Sequence, residues 1–518
     1  MVYAIKKLRM ERKQNKKRII LIFSVLILIS GVCYASLGGE GPIEHDSSCE
    51  KSSLNSSLDH ECFLILAGKN ATEDGSVLVG HNEDDSGKVV IRLHVVPRIE
   101  HEPDEVIRLK NGGLVRQARE TYSYLWSEMP GFDFSDSYLN EWGVAIASDS
   151  SPSKEDRPEL KEGGIGRCLR KIVAERARTA RDGVRIIGQL VEYYGYAHPG
   201  RTYMVGDPSE AWVVCVVYGK HWVAQRVPDN EVAVVPNRYV IRGVDLEDEE
   251  NFMGSEDLIT YAVKRGWHDP SKPFDFAKAY GKDTAIKSPA NTCRQWGGLL
   301  LLTEKNYPLD ELPFSAKPNR KLSVRNLTEV FRYHYEGTKY DLTEGYTLGS
   351  PHATGMRTIC SESTQESFVM QLRSDMPAHI GNVYWRTSGR PCESVYVPWY
   401  LGILEFPEPY ERGDLEDKDM ESAYWVFRTL ADWAEEDYKN RSVALRNVWK
   451  KYEDEAYNSQ EKVEKKALEI YHAEGEVQAR AFLTEYSGKL GMEVLEEAER
   501  ILDAPLPQYD LCSFCPLA

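Results

Sequence analysis

"HECFLILAGKNATEDGSVLVGHNEDDSG", residues 60–87, decides the fold, because ordered sequence begins inside it. From Cys62 to Gly68 and from Ser76 to His81 the residues are mostly apolar and suited to strands, while Lys69-Asn70-Ala71-Thr72-Glu73-Asp74-Gly75 between them has turn chemistry. The spacing predicts a hairpin that starts at a cysteine. Its second strand ends in the polar cluster His81-Asn82-Glu83-Asp84. Since the start of the first strand lies beside the end of the second, those side chains converge on the thiol.

Before this hairpin the composition is different. The first eighteen residues hold eight Lys or Arg against one Glu, a charge of +7 that leaves −24 on the rest of a chain whose total is −17. So acidic a body repels phosphate backbones and excludes nucleic acid as a partner. Fourteen mostly apolar residues follow, 19–32, ending near Cys33-Tyr34-Ala35-Ser36. A spanning helix needs about 20 apolar residues, so 1–35 reads as a signal peptide cut after Ala35, or as an uncleaved anchor. Residues 36–61 are rich in Ser, Gly and acid, the composition of a linker or propeptide. Export would place the ten cysteines in an oxidising space, but their scattered spacing is no dense disulfide framework. Cys512-x-x-Cys515 is the single close pair, and alone it is weak grounds for zinc or redox work.

With 518 residues, 42% of them hydrophobic, the chain can bury a substantial core. Beyond the hairpin, helical spacing over 169–178 and 183–194 gives way to four short strands over 202–237, read as a β meander. A helix over 324–335 is expected between a Ser323 cap and a Gly337 stop. Residues 381–403 are strand-like, 422–502 are helical in period, and 503–518 form a tail. Strands, helices, strands, then helices do not alternate as a doubly wound sheet does. The order predicts an α+β sandwich over 62–404, with a C-terminal helical extension that could pack on it or mediate homo-oligomer assembly.

A lone cysteine on an apolar strand is ordinarily a core residue. Cys62 stands out because order starts there, a removable segment precedes it and polar groups meet it. "CFLILAGKNATEDGSVLVGHNED" resembles the mature start of the cysteine dipeptidases (dipeptidase A group) of the N-terminal nucleophile (Ntn) hydrolase superfamily, related to penicillin V acylases and bile salt hydrolases. The likeness continues through "NEWGVAIASDS" (140–150), "HWVAQRVPDNEVAVVPNRYVIRGVDLED" (221–248), "PFSAKPNRKLSV" (313–324), "HYEGTKYD" (334–341) and "ESVYVPWYLGI" (393–403).

The resemblance implies a four-layer αββα sandwich in which a freed N-terminal cysteine is both nucleophile and base. An α-amine has a reference pKa near 8 and a thiol near 8.5, about matched for direct proton transfer. The thiolate would attack a peptide carbonyl and form an acyl-enzyme. An amide nitrogen between Glu61 and Cys62 has no such basicity, so cutting that bond would switch activity on. By the same resemblance Asp84 bonds the Cys62 amine or thiol, Asn237 donates to the oxyanion, and Arg294 stabilises negative charge near the thiolate. Taken singly, these residues also read as a strand-end acid, a turn residue and a surface cation. The related acylases carry Arg in a G-R-N-x-D run where this chain has Gly80-His81-Asn82-Glu83-Asp84. His81 cannot supply a permanent guanidinium charge, but it can titrate near neutral pH; the plain alternative is a surface histidine.

The expected function is therefore an exported dipeptidase acting on small peptides, with membrane contact only through an uncleaved N-terminal segment. No cofactor and no metal are implied. G-x-S-x-G, H-E-x-x-H and P-loop sequences are absent. An amidase of the penicillin V acylase or bile salt hydrolase type would use the same machinery, and a non-catalytic surface protein could retain the fold without ever freeing Cys62.

Overall fold

The computed structural model describes residues 62–85, 89–131, 137–415 and 418–503. The N-terminal segment 1–61 and the tail 504–518, with Cys512 and Cys515, lie outside the described residues. Among the described residues no helix is long and apolar enough to cross a membrane.

The hairpin forms as the sequence predicts, with strands Phe63–Ala67 and Val77–Asp84. Every residue of both is buried, which explains why they read as apolar runs rather than as alternation. Phe63–Ala67 runs antiparallel between Val77–Asp84 and Val232–Pro236, with Phe63 opposite Asn82 on one side and Pro236 on the other. Extending that register by one residue brings Cys62 level with Glu83 and Asn237.

These strands belong to a seven-stranded antiparallel sheet in the order Ser315–Ala316, Val232–Pro236, Phe63–Ala67, Val77–Asp84, Thr364–Leu372, Val383–Ser388, Val397–Tyr400. The second sheet has eight strands: Phe252–Gly254, Trp222–Arg226, Ala211–Gly219, Tyr196–Gly206, Ala145–Ser150, Tyr138–Asn140, Tyr124–Glu128, Arg92–Val96. The sheets meet face to face, so tightly that a Cβ on Gly206 would lie 2.8 Å from a Val79 methyl. Residues 202–237 do form four strands, but not one meander: the first three stay in the second sheet and the fourth, Val232–Pro236, crosses to the first. That crossing carries Asn237 level with Cys62 at the edge of strand Phe63–Ala67.

Helices cover both outer faces. Ala180–Tyr194 starts at Thr179, whose side chain accepts from the Asp182 amide, and stops at Gly195. Its buried Val184, Ile187 and Val191 share a core with Leu169–Arg176 and the second sheet. Over the first sheet lie Pro289–Thr303 and Val324–Phe331. Gly298 lets the former approach Phe63 and Val234, where a Cβ would meet side-chain atoms at 3.1 and 2.9 Å. The result is the four-layer αββα order. Val324–Phe331 ends four residues short of the expected Tyr335: the chain leaves the helix after Phe331, and Tyr335 then adopts φ 70°.

The C-terminal helices Ala423–Glu435, Tyr438–Glu474 and Glu476–Asp503 pack into the main core rather than standing apart, contributing Leu430, Trp449, Ala467, Leu483 and Val494 to it. Trp449 is fully buried and its indole N–H donates to the Glu393 carbonyl at 2.9 Å. Truncating it removes a large core side chain and leaves a buried carbonyl short of a donor. Trp449→Ala should lower unfolding stability by about 3–5 kcal/mol, read from a urea transition. A loss below about 1 kcal/mol would mean that the helices are an independent appendix.

Candidate active site

Strand alternation settles which side chains Cys62 meets. His81 and Glu83 share its face of the hairpin, the face turned to the second sheet, while Asn82 and Asp84 point the other way. Cys62 is buried, and its thiol donates to Glu83 Oε1 at 3.5 Å. From the facing sheet comes Asp149, on Ala145–Ser150, whose Oδ1 lies 3.0 Å from His81 Nε2. The Cys62 sulfur, a ring nitrogen of His81 and a carboxylate oxygen of Asp149 all lie within 4.8 Å of one another. His81 is fully buried, which excludes the surface-histidine reading. The Asp149 bond assigns the ring proton to Nε2 in neutral His81 and leaves Nδ1 as the acceptor.

On the side of the Cys62 main chain, Arg294 from Pro289–Thr303 is fully buried, not a surface cation. One terminal nitrogen donates to the Cys62 carbonyl at 2.7 Å; the other donates to Asn237 Oδ1 at 2.9 Å and Asn291 Oδ1 at 2.7 Å. Asn237 Nδ2 donates to the Ser150 carbonyl at 3.1 Å. Cys62, Asn237 and the Arg294 guanidinium thus form one connected set.

Asp84 departs from expectation. Its two oxygens accept from Arg357, at 2.6 Å, and from the Thr364 hydroxyl, because its side chain lies on the face of the strand away from the sulfur. Glu83 takes the place beside the thiol instead. Asp84 still reaches the sulfur through its backbone, whose hydrogen bond favours the thiolate.

The electrostatics oppose ionisation of the thiol. Burial pushes the Cys62 pKa well up, and the carboxylates of Glu83, Asp149 and Asp84 add to the effect. Burial, followed by Asp85 and Glu366, also raises Glu83 well above the usual carboxylate range, against the pull of Arg170 and Arg201. Asp149 is raised by burial and held back by its bond to His81. Arg170 and Arg201 both donate to Ser148 Oγ, at 2.6 and 3.0 Å. His81 Nδ1, Glu83 Oε2 and Asp149 Oδ2 are buried without a hydrogen-bond partner among the described residues. Buried polar atoms in that state cost stability and mark sites kept for another purpose.

A model of peptidase family C69 matches residues 61–451. The chain belongs to peptidase family C69. The match opens one residue before Cys62, so the site lies wholly within it. Among curated C69-like relatives, a "Probable dipeptidase" of Latilactobacillus sakei is 30% identical over 392 residues, covering 73% of this chain and 81% of that protein. A "Probable dipeptidase" of Salmonella dublin is 28% identical, covering 68% and 84%. A "Dipeptidase" of Bifidobacterium longum is 27% identical, covering 75% and 80%. Among solved structures, penicillin V acylase from Agrobacterium tumefaciens matches with a TM-score of 0.32 at 14% identity, covering 65% of this chain and 86% of that one.

Asp149, Asn291, Arg170 and Arg201 were not singled out from the sequence of this C69 member, and Glu83 was named only within the polar cluster that ends the hairpin. Asp149 stands inside "NEWGVAIASDS", but the pairing of the two sheets, which no local pattern encodes, is what brings it to His81. If the Glu83 carboxylate restrains the thiol by charge, Glu83→Gln should move the pH dependence of Cys62 alkylation by iodoacetamide to lower pH, followed by peptide mass mapping. An unmoved midpoint would show Glu83 to be uncharged beside the sulfur.

Proposed function

We propose that this C69 peptidase is an exported cysteine dipeptidase whose nucleophile is Cys62, freed by cleavage of the Glu61–Cys62 bond. The observation that carries this reading is the buried meeting of the Cys62 thiol with the His81–Asp149 pair, immediately before strand Phe63–Ala67. Arg294 and Asn237 stand on its main-chain side. The curated relatives called dipeptidases supply the substrate class.

Cleavage converts an amide nitrogen into an amine beside three carboxyl groups. The amine takes the thiol proton, the thiolate attacks the dipeptide carbonyl, and the negative oxygen is met by donors of the Asn237 and Arg294 set. As the C–N bond breaks, the leaving amine collects the proton and a thioester to Cys62 remains. The Cys62 α-amine then takes a proton from water, the hydroxide attacks the thioester, the acid leaves, and the proton passes to the released thiolate. His81, fixed by Asp149, stands beside the sulfur where the related acylases carry Arg.

The mature N-terminus should be Cys62, read by sequencing or intact mass, and dipeptides should be turned over in preference to penicillin V or a glycine-conjugated bile acid. Cys62→Ala should abolish turnover. Full activity with a mature start at Ser36, or undiminished turnover in the alanine variant, would refute the mechanism. His81→Gln disturbs the buried Asp149 contact beside the sulfur and should reduce kcat/KM by about tenfold or more; an unaltered kcat/KM would leave His81 a packing residue.

A further inference from the structure

Far along the chain from Cys62, a second group of donors closes on a point. His334, His352, Cys360 and Cys392 each place one ligand atom within 4.8 Å of all the others. The two cysteines are fully buried and both imidazole side chains are 1% exposed. His334 Nε2 lies 3.1 Å from His352 Nε2, and Cys392 Sγ lies 3.8 Å from the latter. Tetrahedral zinc with bonds of about 2.0–2.1 Å to nitrogen and 2.3 Å to sulfur requires edges of about 3.3 Å between nitrogens and 3.6 Å between nitrogen and sulfur. The observed edges fall within a few tenths of an ångström of these.

The outer ring of contacts is independent of those distances. His334 Nδ1 faces Glu336 Oε1 at 3.0 Å, and His352 Nδ1 faces Glu435 Oε2 at 3.0 Å. Each carboxylate fixes the ring proton on Nδ1, so in the neutral rings both Nε2 atoms present lone pairs to one another at 3.1 Å. Such a meeting is repulsive without positive charge between them. Carboxylate–histidine pairs of this kind orient and strengthen imidazole ligands of zinc. Glu336 is held in turn by the Tyr346 hydroxyl. Tyr346 and Tyr438 close an apolar wall around the cysteines, and a divalent cation with two thiolates and two imidazoles is neutral overall, as such a wall requires.

The fold supplies the need. Between Phe331 and Thr364 the chain runs without regular structure apart from one short turn, Pro351–Ala353, and passes through left-handed φ at Tyr335, Glu344 and Tyr346. A connection this long inside a compact domain calls for a cross-link. Three of the four donors lie on it, and Cys392 lies on the connection between Val383–Ser388 and Val397–Tyr400. Within the same loop Arg357 pairs with Asp84, and the Ile359 carbonyl accepts from Asn82.

We propose that His334, His352, Cys360 and Cys392 bind one structural zinc ion. It pins the loop 332–363 to the body of the protein and holds Arg357 against the active-site hairpin. All four positions are filled by protein, so the metal has no open site for substrate, and the mixed sulfur and nitrogen set selects zinc over calcium or magnesium.

Metal analysis of the intact protein, purified without chelator from zinc-supplemented medium, tests this directly. About one zinc per chain is expected, falling below about a tenth in Cys360→Ser and in His352→Ala, while Cys62→Ala keeps it, which separates this site from the Cys62, His81 and Asp149 group. Cobalt in place of zinc should show a thiolate-to-cobalt charge-transfer band with intense visible d–d bands. Zinc should also protect the loop 332–363 from limited proteolysis until a chelator is added. Should the ligand variants fail to fold, the wild-type protein still decides. Zinc with Cys360 and Cys392 protected from alkylation supports the site. A Cys360–Cys392 disulfide, or two free thiols and no metal, overturns it.

Discussion

Strand Phe63–Ala67 is covered on both faces and hydrogen-bonded on both edges, and the position of the chemistry follows from that confinement. A strand held on four sides has one register, since a slip of one residue would exchange its faces. Cys62 is its continuation, so the sulfur is placed by the central sheet rather than by a loop. Its neighbours are fixed in the same way: His81 and Glu83 by the hairpin register, Asn237 by the strand on the opposite edge, Asp149 by the facing sheet. Arg294 completes the arrangement by binding the Cys62 carbonyl, so the main chain of Cys62 is restrained as well as its sulfur.

The same burial keeps the thiol quiet. With its nitrogen bound in an amide, Cys62 has carboxyl groups about it and a raised pKa; neither favours a thiolate. A liberated amine changes the sign of the local field, because an ammonium beside Glu83, Asp84 and Asp149 is attracted by the groups that disfavour the thiolate. Under the proposed cleavage, charge that disfavours the thiolate would become a counter-ion to the ammonium. On this reading the carboxyl-rich pocket gates activity through one covalent bond, with no conformational change required.

The fold was legible in the sequence where periodicity and turn chemistry are local. The hairpin and the helix pair before residue 195 are within a few residues of their expected bounds, as are the helices after residue 422. The exceptions have tertiary causes. The strand at Val232–Pro236 reads like its three predecessors, and only the pairing with Phe63–Ala67 draws it into the other sheet. The helix from Val324 should by propensity continue to Tyr335, yet packing turns His334 and Tyr335 out of the helix. Cys62, His81, Asn237 and Arg294 were marked by type and resemblance and do meet at the site. Asp149 could not be marked, because its partner is 68 residues away in sequence. Asp84 was assigned to the Cys62 amine or thiol by resemblance, and strand alternation puts the Glu83 side chain beside the thiol.

Glycine and histidine at positions 80 and 81 show how closely packing and chemistry are joined. A Cβ on residue 80 would lie 2.6 Å from the Phe331 ring, so that ring presses on the strand from the outer face just where His81 projects from the inner one. Phe331 is the last residue of its helix, and beyond it the chain enters the long connection that returns as Thr364–Leu372, the strand beside Val77–Asp84. The Phe331 carbonyl accepts from Asn82 at 3.0 Å and the Ile359 carbonyl from the same amide at 3.1 Å, so both ends of the connection are tied to one side chain of the hairpin. Arg357 adds an ion pair to Asp84, two residues further on. The irregular segment is therefore part of the wall behind Cys62, and whatever orders it also sets how rigidly His81 and Glu83 face the sulfur.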